Sequence, residues 1–264
     1  MREAISFIYN GVASEDMGVI IASPNGGLFE EDFLPKRTII EAKIPYRDNP
    51  YHQRVELEPL SFSLTIFISE WKERDNLRQI AKWLYQPYYK PLVFGTNLNR
   101  IYYALFEGDS RLFHNGSKDG YITLNVRCNS PYTNSEVKTT DVVSSRIFNP
   151  ANEESIYNLG DFEIKPKAWI KKTVSAGDVQ IENLSNGQIV KIKGIQNGEE
   201  IFIDFNREEI VSSLEYLNVY RHDDHNNVWL TLENEFDGEN QLKFTGDFDI
   251  HFSYEMKYLM EWGD

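Results

Sequence analysis

One cysteine in 264 residues leaves nothing to pair with. Cys128 thereby excludes an internal disulfide and a cysteine-rich metal site. Long apolar runs are missing too, and none approaches the ~20 residues of a membrane-spanning helix. The opening Met1-Arg2-Glu3-Ala4-Ile5 lacks the apolar core of a signal peptide, so no targeting segment is expected there. Internal repeats and low-complexity tracts are absent. So are the motifs G-x-S-x-G, H-E-x-x-H, the Walker loop and G-x-G-x-x-G. What is present suits a folded core: 41% apolar and 14% aromatic residues, with a mean hydropathy of -0.48. The expectation is a soluble protein, made and assembled in a reducing cytoplasm, of one large or two ordinary domains.

Basic residues are scarce, 27 Lys and Arg against 41 Asp and Glu, and they are unevenly spread. Residues 1–135 hold 15 basic and 16 acidic side chains, a net of -1. Residues 136–264 hold 12 and 25, a net of -13. A balanced half can pack against copies of itself, whereas a strongly acidic half repels its own copies and nucleic acid alike. Two domains with different roles are expected, split near residue 135, with no nucleic-acid binding by the second.

Residues 1–135 read as strands around one helix. Ile5 to Gly11 is a short apolar strand ending in an Asn10-Gly11 turn, and Val19-Ile20-Ile21 is a second strand. Phe62, Leu64, Ile66 and Ile68 alternate with Ser61, Ser63, Thr65 and Phe67, the period of a half-buried strand. Ser69 is a candidate N-cap, with Glu70 and Glu73 in the first turn. Leu77, Ile80, Ala81 and Leu84 follow at helical spacing, and Pro87 closes the helix. Strands resume at 91–94, 101–106 and 121–128, where Cys128 continues the alternation of Ile122, Leu124 and Val126 as a core residue. Between strand-like runs at 38–44 and 55–57 lies Pro45-Tyr46-Arg47-Asp48-Asn49-Pro50-Tyr51-His52-Gln53-Arg54. An exposed hairpin tip accounts for this stretch. So does an arm over about 38–57 that reaches a neighbouring subunit through Tyr46, Arg47, Tyr51 and Arg54, because aromatic and Arg residues favour interfaces.

Residues 133–150 read as a linker or crossing strand. Beyond them, turn signals at Asn186-Gly187, Asn197-Gly198 and Asp237-Gly238 separate strands expected at 189–195, 201–205, 216–220, 228–232 and 248–254, a β-sandwich pattern. Candidate chemistry is thin. His222-Asp223-Asp224-His225 reads as a polar turn, and a metal site would need further ligands. Glu233 to Gly238 imitates a Ca²⁺ loop, but Phe244 stands where the bidentate Glu is required. Asp247 and Asp249 share a strand face and could act as a glycosidase pair across a cleft, or form the wet side of a sheet. Trp169, Tyr220 and Trp229 are candidates for stacking on sugars, with burial in the core as the alternative. Asn115 and Asn183 are the first residues of Asn-x-Ser triplets, which matter only in a secreted eukaryotic protein. No catalytic residue, cofactor or metal is expected.

The run Phe7-Ile8-Tyr9-Asn10-Gly11 with Ser14-Glu15-Asp16-Met17-Gly18 resembles the start of the distal tail proteins of long-tailed phages. Ser61 to Tyr88, then Pro91-Leu92-Val93-Phe94, Tyr102-Tyr103-Ala104, and Gly120-Tyr121-Ile122-Thr123-Leu124 to Ser130-Pro131-Tyr132 are similar to that family as well. The resemblance covers about residues 1–135. It implies a mainly β chain: an N-terminal sandwich or split-barrel-like domain with one helix (1–135), and an acidic galectin-like β-sandwich (136–264). It implies a homo-hexameric ring in which residues 38–57 embrace the next subunit. The ring would join the tail tube protein to the tail-tip or fibre protein, and DNA and the tape-measure protein would pass through without specific binding or a membrane. The location implied is the virion tail tip, after synthesis in the host cytoplasm. A carbohydrate-binding host-adhesion protein is the alternative.

Overall fold

The computed structural model describes residues 5–22, 35–68, 74–108, 111–114, 120–146, 153–235 and 237–259. Ser69, Glu70, Glu73 and Asn115 lie outside the described residues. The chain is mainly β, as expected, and divides into two compact units. One runs to Ser135 and takes in Tyr258; the other is Glu136–Lys257. No helix among the described residues is long and apolar enough to cross a membrane.

The first unit is an antiparallel sheet in the order Val12–Ala13, Phe7–Tyr9, Lys90–Phe94, Asn97–Glu107, Gly120–Cys128, Ser61–Ile68, Val19–Ile21. The opening turn is a two-residue hairpin, with Tyr9 opposite Val12. Asn10 and Gly11 both take positive φ, 52° and 77°, which is the turn that matches strand twist. The sheet curls until Ile21 donates to the Ile5 carbonyl at 2.8 Å. The curl encloses Leu64, Ile66, Ile68, Leu124, Val126 and Cys128. Burial pushes the Cys128 thiol up to about 12, so it stays a neutral core group.

The helix Arg74–Leu84 closes this core with Ile80, Trp83 and Leu84. Ala81, expected on the buried stripe, is exposed, and the larger Trp83 takes its place. Trp83 stacks on Phe7 at 5.5 Å, and its indole N–H donates to the Tyr9 carbonyl at 2.8 Å. The Gln86 amide donates to the Trp83 carbonyl at 2.8 Å, satisfying a helix-end acceptor.

The second unit is a sandwich of two antiparallel sheets. One has the order Lys138–Thr139, Phe248–Tyr254, Lys167–Lys172, Glu200–Asp204, Glu209–Ser212, with Val143–Ser145 also on Phe248–Tyr254. The other has the order Glu153–Tyr157, Glu239–Thr245, Gly177–Asn183, Gln188–Ile195. Phe244 meets Phe248 and Phe252 across the core, at 6.1 and 6.2 Å.

Several expectations in this unit are corrected. Residues 216–220 form no strand: Glu215–Leu217 is a 3-10 turn closed by Asn218 in the left-handed region. Residues 228–232 lack the ladder as well, apart from one bridge from Leu232 to Ile164. Side chains satisfy that backbone instead. Gln188 accepts from the Thr231 N–H at 2.8 Å, and Asn183 and Asn186 donate to the Thr231 carbonyl at 2.9 and 3.1 Å. Of the three turn signals here, only Asn186-Gly187 joins a hairpin. Asn197-Gly198 carries the chain from one sheet to the other. Gly238 instead packs against Asn158, whose carbonyl would clash with any Cβ there.

Candidate assembly interface

The arm expected near residues 38–57 is a hairpin of Arg37–Ala42 and Tyr51–Leu57. Among the described residues its strands pair only with each other. Every residue of Tyr51–Leu57 is exposed, and so are four of the six in Arg37–Ala42. Isolated two-stranded hairpins are marginal in water, because neither face buries apolar area. The pairs Ile39–Val55 and Arg37–Leu57 sit on one face. Ile39, Val55 and Leu57 are 56%, 44% and 42% exposed. Covering what remains exposed of each side chain is worth about 1 kcal/mol, roughly half the value of full burial, and is unrealised in the single chain.

Local chemistry fixes the hairpin's shape. β-branched residues favour the extended backbone. A bulge between Ile40 and Glu41 leaves Gln53 unpaired and shifts the face that Tyr51 shares with Ala42. At the base, Lys36 and Glu58 form an ion pair at 3.0 Å, and Glu58 donates its backbone N–H to the Lys36 carbonyl at 2.8 Å. The Lys36 hydrogen bond holds the Glu58 carboxyl below its ordinary range. At the tip, Arg47 N–H closes a turn on the Ile44 carbonyl at 3.2 Å. Tyr46 takes φ 66°, a conformation a bulky residue rarely adopts, and its ring is fully exposed.

All four residues expected at an interface lie on this hairpin: Tyr46 and Arg47 on the tip, Tyr51 and Arg54 on the second strand. Arg54 is held by Glu56 at 2.6 Å. Sequence reasoning missed Ile39, Val55 and Leu57, whose strand-like pattern reads equally well as a buried face.

The sugar-stacking candidates are distributed differently. Trp169 is 37% exposed on a sheet face and stacks on His251 at 5.0 Å, with Phe202 at 5.0 Å on its other cross-strand side. Tyr220 is exposed on the loop after the 3-10 turn. Trp229 is buried among Phe205, His222 and His225. His225 sits in the same cluster, where burial lowers its pKa. Asp249 accepts from Ser144 at 2.6 Å and Arg146 at 2.9 Å. Burial pushes its pKa up, but these partners more than offset that and hold it low. Asp247, just ahead of the strand, accepts from Ser175 at 3.5 Å. Glu233 accepts from Asn186 at 3.1 Å, and Phe236 in that loop lies outside the described residues. Among the described residues no group of three His, Cys, Asp or Glu could hold a metal ion.

Comparison with known proteins gives three findings. A phage tail protein N-terminal domain model matches residues 2–130, and a phage tail C-terminal domain model matches 131–254. The SPbeta prophage-derived uncharacterized protein YomH of Bacillus subtilis (strain 168) is 34% identical over 263 residues, 98% of this chain and 100% of that one. The crystal structure of the phage SPP1 Dit protein (gp 19.1) superposes with a TM-score of 0.70 at 17% identity, over 95% of this chain and 98% of that one. That protein is described as a paradigm of the hub adsorption apparatus in phages infecting Gram-positive bacteria.

Proposed function

The chain belongs to this phage tail protein family and has the fold of a tail hub protein, and from that premise we propose that it is a structural hub of the tail tip. Six copies form a closed ring through their first units, and the arm of each covers the next. The ring joins the tail tube protein on one side to the tail-tip or fibre protein on the other. Its opening passes DNA and the tape-measure protein without specific contacts, and no catalysis is required of it.

The observation that carries this reading is the arm. A hairpin with three aliphatic side chains and two tyrosines in water has no reason to persist in an isolated chain. A closed ring supplies the missing cover, because each copy donates one patch and receives another. The near-neutral first unit suits close self-packing, whereas six acidic second units repel each other and stand apart on the rim.

Deleting residues 45–54 tests it. The shortened chain is expected to keep its folded circular dichroism spectrum and to lose the rings seen by negative-stain electron microscopy. Unchanged rings would refute the arm's role. The exposed Trp169–His251 stack favours a second reading, sugar binding by the acidic sandwich. Glycan-array binding abolished by Trp169→Ala would support it, and an array without binding would remove it.

A further inference from the structure

The first unit carries a second exposed apolar feature, drawn from four separate strands outside the arm. Strand register places Ile20, Phe67, Tyr121 and Phe113 side by side across four neighbouring strands. Their neighbours Val19, Ile66, Ile68 and Gly120 are buried on the inner side, so the four lie on the outer face. Phe67 and Tyr121 touch, with ring centroids 5.2 Å apart. Ile20, Tyr121 and Phe113 are 39%, 45% and 62% exposed. At about 4.8 Å per strand the row is a ridge roughly 15 Å long. It ends abruptly: the next row on this face is Thr65 with Thr123, linked at 3.1 Å, and then Ser63 with Asn125.

We infer that this ridge is the seat on which the arm of a second copy of the chain lies, through Ile39, Val55 and Leu57. The inference rests on the ring reading and names the surface that the ring requires. A heterologous ring needs two different patches on every copy, one given and one received. The ridge carries no charge, the arm's face carries charge only at its two ends, Arg37 and Glu41, and both belong to the unit with balanced charge. Strands of six and seven residues give the arm a length of about 20 Å, enough to lie along the ridge. Charge at the ends agrees. Glu41 follows Ile39 on the same side of its strand, and Arg111 precedes Phe113 on the same side of its own. Both are exposed. With the arm tip toward the Phe113 end, the carboxylate and the guanidinium can meet one row beside the ridge, where Arg111 lies level with Thr123.

Photo-crosslinking tests the seat in the full chain. Phe113 is exposed, so the photoreactive p-benzoylphenylalanine can replace it without disturbing the core. Rings assembled from mixed unlabelled and ¹⁵N-labelled chains are irradiated and digested. The expected product joins residue 113 of one copy to a peptide from residues 37–57 of another. A link to any other peptide, or a complete ring with no link, overturns the seat and leaves the ring reading standing. A chain that stays monomeric at every concentration overturns both. As a second measurement, Glu41→Arg is expected to weaken assembly about fivefold, the scale of one exposed ion pair. Adding Arg111→Glu should restore it. A double variant no better than the single one would count against the seat.

Discussion

The two units of this chain differ in what they leave unfinished. The acidic second unit holds its most deeply buried charged pair and amides with partners of its own. Arg221 and Glu199, both buried, form a forked pair at 2.7 and 2.8 Å. Ser212 adds a third bond to the same carboxylate at 2.6 Å. The buried amides of Asn158, Asn183 and Asn240 take up the carbonyls of the irregular segment around Thr231. The first unit has an apolar core, yet it leaves a whole hairpin and a row of apolar side chains exposed. The second unit shows internal pairing of buried polar groups; the first shows the hairpin and ridge that the proposed ring would cover. Stability and assembly should therefore answer to different residues.

The largest separation is expected at the buried pair. Glu199→Ala leaves the buried Arg221 guanidinium with Asp224 alone, at 2.8 Å, and should destabilise the second unit toward the lower end of about 3–5 kcal/mol. Chemical denaturation would read this as a lowered midpoint, while ring assembly at low temperature survives. Acid should act on the same group. Burial raises the pKa of the Glu199 carboxyl, but bonds from Arg221, Ser212 and the Gln196 N–H outweigh that and hold it below its ordinary range. A depressed carboxyl contributes fully above its unfolded pKa, near ~4.3, and loses that contribution as pH falls through the folded value. The second unit should thus unfold first on acidification below about pH 4. Asn240→Ala comes next. Its amide serves the Glu233 N–H and carbonyl, both at 2.8 Å, and orphaning them costs about 1–3 kcal/mol.

In the first unit, Trp83→Phe keeps the stack on Phe7 and removes the bond to the Tyr9 carbonyl, a loss of about 1 kcal/mol in thermal or denaturant unfolding. The smallest effect on stability belongs to the arm. Ile39→Ser with Val55→Ser should shift unfolding by no more than about 0.5 kcal/mol, since both side chains are exposed. The same double change should abolish assembly. An arm variant that destabilises the monomer would erase the distinction between the units.

Legibility followed the locality of the physics. Asn10-Gly11 between two apolar runs specifies its turn within four residues, and the strand at Ser61–Ile68 is readable from its alternation. The hairpin was legible as a stretch of Tyr, Arg and Pro between two strand-like runs, because its exposed tip is marked by composition. Its apolar face was not, since Ile39 and Val55 have the pattern of any half-buried strand. The segment around Trp229 misled for a related reason. Its apolar residues suit a strand, but its hydrogen bonds go to Gln188, Asn183 and Asn186, more than forty residues away in the chain. The ridge of Ile20, Phe67, Tyr121 and Phe113 exists only through register across four strands, and no local window contains it.

Light scattering on the purified full chain tests the hub most directly. A closed ring of six 30.8 kDa chains has a mass of about 185 kDa, and that is the expected value. A mass of 30.8 kDa that persists at high concentration would contradict it.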